Sequence, residues 1–471
     1  MAISDEYHIP TGYVEEVTKL AVSGWVTCFR DTPRPVVKLI QDGETICAIR
    51  PTLPAPNVIK ALGLSHKDMS AFRWKLPFPL MAGLVPDINI FVCFEDGIAL
   101  QKGKDIQIPL FEHIDSEARE DLEAATLLLP QTPTLTDGAV SVGIATLRSP
   151  AKPVSRIQCG KHVHQAVEGS NQIMHMVHGT VACEIRPEDF KISNEPFVKI
   201  SIDAEPHEDE RVNFHQSLRT LWIPQSVFQT DKLVCPVPGE DNIVRVSGIG
   251  SGLRYIISGT TTFMQLNEIS KQYFSGTLDQ FETVLDWGVG CARVMRQFWE
   301  AGPAIGLKKS KEQNIIGLDI DPINIEWSKV NMGNKGSYEL LSLDGFDLAD
   351  GEVDFLYGIS VMTHLTEHNQ YFWLEEIARV VKPGGCVILT VHGEFAYYRH
   401  PRMIATPFVE RTGFYDSCPD QAIGKDRDTY YRATFHAREY LREHWTRDFE
   451  ILDFIPVANA FLQDFVVMRR R

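Results

Sequence analysis

The sequence VLDWGVGCARVMRQFW, residues 284–299, decides the fold of the C-terminal half of this chain. Its first four residues, Val284–Trp287, are typical of the end of a buried strand, and an apolar pattern with helical spacing begins at about Ala292. Gly288 and Gly290 lie between them, where glycine permits backbone conformations that are closed to other residues. A ligand can approach such a turn closely, and the start of the next helix offers unpaired N–H groups to an anion.

The residues around this stretch alternate between strands and helices as far as the C-terminus. The predicted strands are FETVLDW, NIIGLDI, YELLSL, VDFLYGIS and CVILTVH, and the helices between them include PINIEWSKVNM and HNQYFWLEEIARVV. Continuous apolar strands that alternate with amphipathic helices predict a parallel sheet covered on both faces. Because ligands of such sheets bind at the carboxyl ends of the strands, the polar residues that follow each strand are the candidate site.

The composition limits the number of domains and the kinds of partner. A chain of 471 residues is too long for one ordinary core, so we expect two or three domains. The net charge of -16 and the lack of a basic tract disfavour nucleic acid as a partner. Nine cysteines without a CxxC pair favour free thiols in a reducing compartment. We find no signal peptide and no membrane span, and therefore expect a cytoplasmic protein.

Two β-rich units are predicted ahead of the α/β region. Short β-branched runs separated by Asp-Gly turns predict an all-β, sandwich-like domain over residues 1–110. Residues 111–138 include a segment of helical composition, which we interpret as a connector. The β pattern returns over residues 139–240 and predicts a second β-rich domain, and residues 241–471 form the α/β domain.

Two acidic residues indicate what kind of ligand the glycine turn binds. Asp286 precedes the first glycine by two positions and is placed to meet a cationic amine. Asp319 ends the next strand, where a carboxylate can accept both hydroxyls of a ribose. A dinucleotide site would carry a third glycine in G-x-G-x-x-G, and this chain has Arg293 there. That difference disfavours a nicotinamide-dependent oxidoreductase.

The segments VLDWGVGCARV, GLDIDP, DGEVDFLYGISVMTHL and LEEIARVVKPGGCVILTVHG resemble the successive motifs of the class I S-adenosylmethionine-dependent methyltransferases. The resemblance covers about Phe281–His392, and the C-terminal tail resembles the ending of one bacterial branch of that family. It implies a doubly wound, Rossmann-like sheet of seven strands, in which FEILDFIPV and DFVVMRRR form an antiparallel hairpin. It also implies S-adenosyl-L-methionine as the cofactor.

The same resemblance assigns cofactor contacts to the loops that follow the strands. The implied contacts are Asp286, Trp287, Gly288 and Gly290 at the methionine end, Asp319 at the ribose, Ile320, Asp321, Leu343 and Asp344 near the adenine, and Gly358 and Ile359 along the pocket. Many relatives have a third glycine near Ala292. Because alanine is small, we expect binding to survive this departure.

The acceptor side is predicted from residues beyond the fourth and fifth strands. Methyl transfer from a sulfonium is an in-line displacement, so positioning is the main catalytic contribution, and a general base would help an alcohol acceptor. His392 and His364 are the candidate catalytic bases, each with a packing or capping role as the alternative, and Glu367 could orient either. Residues 394–436 are the candidate lid or acceptor wall, with the candidate substrate-binding residues Tyr397, Tyr430, Arg432 and His436.

The N-terminal half carries a fainter resemblance. SGWV, VVKLIQDGETICAIRPTLPAPNVIKALGL and FRWKLPFPL resemble a small β-sandwich attached to some bacterial glycosyltransferases and methyltransferases of surface-polysaccharide biosynthesis. That resemblance implies an acceptor that contains sugar. Trp25 could stack on a sugar or belong to the core of the sandwich.

One group of residues has the side chains that zinc accepts. It comprises Cys159, His162, His164, His175, His178 and Cys183. The spacing gives no clear way to combine the two halves of the group into one site. We therefore interpret them as ordinary residues of a β unit and predict no metal.

These observations favour a methyltransferase that uses S-adenosylmethionine to methylate an oxygen of a small molecule or glycan. The alternative is a carbohydrate-binding protein whose methyltransferase domain has lost activity, which the presence of Asp286, Gly288, Gly290 and Asp319 opposes. Protein and nucleic-acid acceptors stay open, although no Asn-Pro-Pro-Tyr type of motif favours methylation of bases.

Overall fold

The computed structural model describes the C-terminal part of the chain over residues 206–248, 250–308, 313–399, 413–416, 433–460 and 462–471. In the N-terminal part it describes residues 12–17, 22–29, 33–41, 44–51, 53–61, 69–75, 88–103, 106–108, 127–130, 133–147, 156–160, 162–165, 177–193 and 195–203. None of the helices in these ranges is long and apolar enough to cross a membrane.

Antiparallel strands dominate the first hundred residues. The elements are β1 (Gly12–Val17), β2 (Val22–Phe29), β3 (Val37–Gln41), β4 (Glu44–Ile49), β5 (Leu53–Pro54), α1 (Pro56–Ala61), β6 (Met69–Lys75), β7 (Ile88–Phe94) and β8 (Ile106–Ile108). They form two four-stranded sheets, with the orders β1-β2-β6-β5 and β4-β3-β7-β8.

A second group of strands follows. It contains β9 (Leu127–Pro130), β10 (Thr134–Thr136), β11 (Ala139–Leu147), β12 (Arg156–Cys159), β13 (His162–Gln165), β14 (Val177–Ile185), α2 (Pro187–Ser193), β15 (Phe197–Asp203), α3 (Glu210–Leu218) and β16 (Leu221–Pro224). One sheet has the order β10-β11-β14 with β9 on β11, and the other has the order β13-β12-β15-β16. Because β9 and β10 pair with β11, we propose that the second β-rich unit begins within the predicted connector, at or before Leu127.

The C-terminal part alternates helices and strands. The elements are α4 (Glu240–Ser247), α5 (Gly252–Phe274), β17 (Thr283–Trp287), α6 (Gln297–Glu300), β18 (Asn314–Asp319), α7 (Pro322–Asn331), β19 (Ser337–Leu340), β20 (Val353–Gly358), α8 (Glu367–Val380), β21 (Val381–Val391), α9 (Glu394–Arg399), β22 (Phe414–Asp416), β23 (Thr434–His436), α10 (Arg438–His444), β24 (Phe449–Asn459) and β25 (Gln463–Arg470). Short 3-10 helices include Met362–His364.

These strands form the predicted seven-stranded sheet, whose order is β19-β18-β17-β20-β21-β25-β24. The first five strands are parallel, and β25 runs antiparallel to both β21 and β24. The prediction of a mostly parallel sheet that ends in an antiparallel hairpin is confirmed. The chain order reverses direction at β17 and β20, which is where sheets of this kind bind their ligands.

Apolar side chains cover both faces of the sheet. Val284 and Leu285 are consecutive in β17 and pack into two different core clusters, because successive strand residues point to opposite faces. α5 lies against the face of Val284, where its Phe263 meets Phe298 with ring centroids 5.0 Å apart. Full burial of a phenylalanine stabilises the fold by roughly 2–3 kcal/mol, so this contact fixes α5 next to the residues that follow the glycine turn.

The segment after the glycine turn differs from the prediction of a helix that begins at about Ala292. Ala292 has a φ of 60°, and residues 291–296 form turns before the four-residue helix α6. A left-handed residue breaks an α-helix, and Tyr255 of α5 donates a hydrogen bond to the carbonyl of Cys291, which holds the turn. The apolar spacing that predicted a helix instead serves packing against α5.

The candidate zinc group is only partly described. Cys159 and Cys183 lie buried in one core cluster of the second β unit. His175 and the side chains of His162, His164 and His178 lie outside the described part of the chain. Among the described side chains, no group of three or more His, Cys, Asp or Glu residues could hold a metal ion.

Candidate functional site

The glycine turn is fastened to the carboxyl end of β18. The backbone N–H groups of Gly288 and Val289 both donate to the carbonyl of Leu318, at 2.8 and 3.0 Å. The N–H of Gly290 donates to Oδ2 of Asp319 at 2.7 Å, and Oδ1 of Asp319 accepts from the N–H of Asp321 at 2.8 Å. Gly288 and Gly290 have φ values of 79° and 54°, which favour glycine. The carboxylate of Asp319 therefore joins two loops at the edge of the sheet.

Asp286 lies beneath this turn and is almost completely buried. Tyr357 of β20 donates to its Oδ2 at 2.8 Å. Burial raises the pKa of Asp286 to about 7, although the hydrogen bond from Tyr357 and the charge of Arg293 act to lower it. This carboxyl can meet a cationic group, and a bound cation would draw it into its ionised form.

The raised pKa of Asp286 predicts a pH-dependent cost to stability. Because the folded-state pKa lies above the unfolded-state value, the folded state favours the protonated form, and stability is lost as the pH rises towards the folded-state pKa. The asparagine in Asp286→Asn does not titrate. The free energy of unfolding of this variant, relative to that of the native chain, is therefore expected to grow by roughly 2 kcal/mol between about pH 5 and pH 8.

Urea denaturation of both proteins across this pH range measures that difference. The pKa of Asp464 is also raised to about 7 by burial, but this residue is present in both proteins and its contribution cancels. A constant difference between the two proteins at every pH would show that Asp286 is ionised throughout the range.

Asp321, which was expected to lie near the adenine, holds the loop to α4. It caps α7 by accepting from the N–H of Ile323, and Arg245 of α4 binds both of its carboxylate oxygens at 2.7 and 2.9 Å. Val246 of α4 packs against Gly290, where an added Cβ would come within 2.7 Å of it. No sequence motif predicted α4, which is a short helix over residues 240–247.

The other residues expected on the cofactor side fall into two groups. Leu343 is 53% exposed after β19, and Asp344 beside it is also exposed. In contrast, the ring of Trp287 is buried against Trp373 at 5.4 Å, so its backbone alone lies at the turn. The two pocket-lining candidates, Gly358 and Ile359, are buried at the end of β20 and just after it. Ile320 is partly buried.

His392 stands at the carboxyl end of β21, where both ring nitrogens have polar neighbours. Its Nδ1 lies 3.2 Å from the carbonyl oxygen of Thr434, and its ring packs on Phe435 at 5.0 Å. Because a carbonyl only accepts, Nδ1 carries the hydrogen and Nε2 presents its lone pair. Nε2 lies 3.4 Å from the side-chain nitrogen of Gln463.

Gln463 belongs to a polar group that the sequence analysis missed. Its amide contacts the hydroxyl of Ser360 at 2.8 Å and accepts from Nδ2 of Asn459 at 2.9 Å. Ser360 follows β20 and has a φ of 62°, an uncommon conformation for a residue other than glycine. The predicted strand ends were the available signal for Ser360, but its contact with the terminal hairpin comes from the tertiary fold.

The acceptor-side candidates that the structure describes, besides His392, lie in three different settings. His364 is half-buried in the 3-10 helix after β20, and Glu367 accepts from the hydroxyl of Tyr440 at 2.8 Å. His436 is fully buried and contacts Oε1 of Gln370 at 2.9 Å through Nε2, and burial lowers its pKa to about 3. His436 is thus a neutral core residue in this structure. The other three candidates lie outside the described side chains, namely Tyr397, Tyr430 and Arg432.

Comparisons with known proteins bear on the same region. Residues 285–389 match a family model described as a methyltransferase domain. No curated protein matches this chain. A solved S-adenosylmethionine-dependent methyltransferase from Methanosarcina mazei is 20% identical, with 40% of this chain and 92% of that chain covered and a TM-score of 0.30. The glycopeptide N-methyltransferase MtfA is 13% identical, with 45% and 90% covered and a TM-score of 0.33.

The likenesses to solved structures support no conclusion about activity at these identities and TM-scores. The family match and the strand order of the sheet concern the same residues, because the matched region runs from β17 to β21. Residues 285–389 form a methyltransferase domain, whose cofactor is S-adenosylmethionine.

Proposed function

We propose that this methyltransferase transfers the methyl group to a hydroxyl oxygen of a small molecule or glycan. The observation that carries the proposal is the setting of His392, whose Nδ1 contacts the carbonyl of Thr434 and whose Nε2 faces the amide of Gln463 at the carboxyl edge of the sheet. An alcohol is a poor nucleophile until its proton is removed, and a positioned imidazole contributes this removal near neutral pH. An amine acceptor needs such a base less.

The residues at this edge fit the chemistry of S-adenosylmethionine. Asp286 and Asp319, at the ends of adjacent parallel strands, suit a ligand with an ammonium group and a ribose diol. Leu343 offers an exposed apolar side chain for an adenine ring. The bound cofactor supplies a methyl group already activated on a sulfonium. We propose that Asp286, Gly288, Gly290 and Asp319 hold its methionine and ribose parts.

The protein's contribution to the chemical step is to orient the acceptor and remove its proton. In the proposed mechanism the acceptor hydroxyl replaces the Gln463 amide as the donor to Nε2 of His392, which takes the proton as the oxygen attacks. The carbonyl of Thr434 keeps Nδ1–H in place and stabilises the imidazolium that forms. Ser360 and Gln463 are uncharged and bind each other nearby, which suits a neutral acceptor with several hydroxyls.

A second candidate function rests on a pair of aromatic rings in the N-terminal part. Tyr13 and Trp25 are half-buried cross-strand partners, stacked at 5.9 Å with planes 14° apart, and Lys102 lies 5.1 Å above the ring of Tyr13. Stacked rings at a sheet surface suit the apolar face of a sugar. We propose that the methyltransferase domain comprises residues 241–471. On this second proposal the N-terminal unit presents a glycan to that domain, or it is a carbohydrate-binding module beside an inactive domain.

Titration calorimetry and a turnover assay test the proposed function together. We expect S-adenosylmethionine and its demethylated product to bind and NAD to give no heat. With hydroxylated acceptors, formation of the demethylated product should fall by about 100-fold or more in His392→Gln, while cofactor affinity stays unchanged. His368→Gln is the control, because His368 is exposed on α8.

Three outcomes decide between the alternatives. Cofactor binding without turnover on any hydroxyl acceptor, but with turnover on amines, would overturn O-methylation. Full turnover in His392→Gln would remove His392 as the base. Binding of glycans without binding of S-adenosylmethionine would favour the inactive carbohydrate-binding protein.

A further inference from the structure

Two arginines meet where α5 crosses the segment that follows the glycine turn. Arg254 and Ser258 are one helical turn apart and therefore share a face of α5. Nη1 of Arg293 lies 3.4 Å from the hydroxyl of Ser258, which brings both guanidinium groups to the same face. The backbone of Arg293 is fixed against α5, because a Cβ added to Gly259 would come within 2.2 Å of its carbonyl oxygen.

Neither of these guanidinium groups forms an ion pair within the described part of the chain, although the charge of Asp286 acts on Arg293. The side chain of Arg293 forms a long hydrogen bond with the hydroxyl of Ser258. Among the described residues, no acidic side chain lies within 4.0 Å of either guanidinium group. Burial lowers the pKa of both arginines, and the charge of Arg254 acts to lower that of Arg293 further. Like charges in a partly buried place are costly unless an anion accompanies them.

Other arginines of this domain show what a satisfied guanidinium looks like here. Arg219 donates twice to the carbonyl of Pro456. Arg296 donates to two backbone carbonyls and pairs with Glu300 at 3.6 Å. Arg245 binds Asp321 through two nitrogens. Among the described residues Arg254 and Arg293 have no such carbonyl or carboxylate acceptor, so both partly buried guanidinium groups are available to an anionic ligand.

The position of Arg293 indicates which part of the ligand this side chain contacts. It follows Gly290 by three residues, and its charge acts on Asp286, the carboxyl beneath the turn. The amino-acid end of S-adenosylmethionine carries one ammonium and one carboxylate, and this corner offers one carboxyl and two guanidinium groups. We propose that Arg293, assisted by Arg254, binds the α-carboxylate of the cofactor. This inference rests on the proposed cofactor contacts of Asp286 and the glycine turn.

A pair of ligands that differ only in that carboxylate tests the proposal. Calorimetry measures the affinity of S-adenosylmethionine and of decarboxylated S-adenosylmethionine for the native chain, Arg293→Gln, Arg293→Lys and Arg254→Gln. If Arg293 forms a charged hydrogen bond with the carboxylate, Arg293→Gln should weaken the affinity for S-adenosylmethionine by roughly 10- to 100-fold. The affinity for the decarboxylated ligand should stay within about 3-fold of the native value. Lysine should restore part of the loss, since it keeps the charge but not the planar fork.

The control is Lys271→Gln, an exposed position on the same helix that pairs with Glu268. We expect it to change neither affinity, and circular dichroism confirms that each variant is folded. If Arg293→Gln loses affinity for both ligands equally, the arginine only holds the loop, and the proposal is overturned. If the native chain binds both ligands equally well, the carboxylate is not recognised, although the methyltransferase function stands. If it binds neither, the proposed cofactor contacts fail as well.

Discussion

Replacing Asp319 with alanine is expected to weaken binding of S-adenosylmethionine by about 100-fold or more, because one carboxylate organises two loops and is the proposed ribose ligand. The variant leaves the N–H groups of Gly290 and Asp321 without their acceptor. An unsatisfied buried donor costs about 1–3 kcal/mol, so we expect the free energy of unfolding to fall by roughly 2–4 kcal/mol. Calorimetry and urea denaturation measure the two effects.

Two further variants separate the structural effect from the binding effect. Asp319→Asn keeps one carbonyl oxygen as an acceptor, so it should lose less stability than alanine but still bind the cofactor poorly. Asp231→Ala is the control, because Asp231 is an exposed aspartate in the short 3-10 helix Thr230–Lys232 and has no proposed role in binding. Native cofactor affinity in Asp319→Ala would contradict both roles that we assign to this carboxylate.

The sheet could be predicted because its information is local. Each strand is a short apolar run between turn residues, and parallel strands place their carboxyl ends at one edge. Asp286, Asp319 and His392 could therefore be assigned to the same edge before any contact was known. The helix predicted from about Ala292 was wrong over residues 292–296, because apolar spacing does not reveal a left-handed residue such as Ala292.

The contacts that complete the site could not be predicted, because they join residues far apart in the chain. Arg245 meets Asp321 across 76 positions, and Gln463 meets Ser360 across 103 positions. His436 resembled an accessible binding residue in an aromatic, basic segment, but Phe414, Tyr440 and Trp445 enclose its ring. Side-chain chemistry named the candidates, and only tertiary packing separates a pocket residue from a core residue.

The packing of α5 against the glycine turn links stability to the cofactor site. Gly259 lets the helix touch the carbonyl of Arg293, and Tyr255, one turn earlier, binds the carbonyl of Cys291. Both contacts fix the backbone of the segment that carries Arg293. A side chain at position 259 should therefore disturb the fold and the methionine end of the site together.

Gly259→Ala is expected to destabilise the chain by roughly 3 kcal/mol, because its Cβ would lie 2.2 Å from a backbone oxygen that cannot move without the turn. The same displacement shifts Arg293, so affinity for S-adenosylmethionine should fall while that for decarboxylated S-adenosylmethionine changes less. Gly252→Ala is the matched control on the same helix, since its Cβ would have its nearest neighbour at 3.5 Å.

Alanine is the better helix former by up to about 1 kcal/mol, so Gly252→Ala should be neutral or slightly stabilising. The two variants carry the same substitution in the same helix, and a difference in their urea midpoints therefore measures the contact between α5 and the turn. Equal midpoints would mean that the helix does not press on Arg293. In that case the two guanidinium groups would not be held together by the fold, and the carboxylate site would have to form when the cofactor binds.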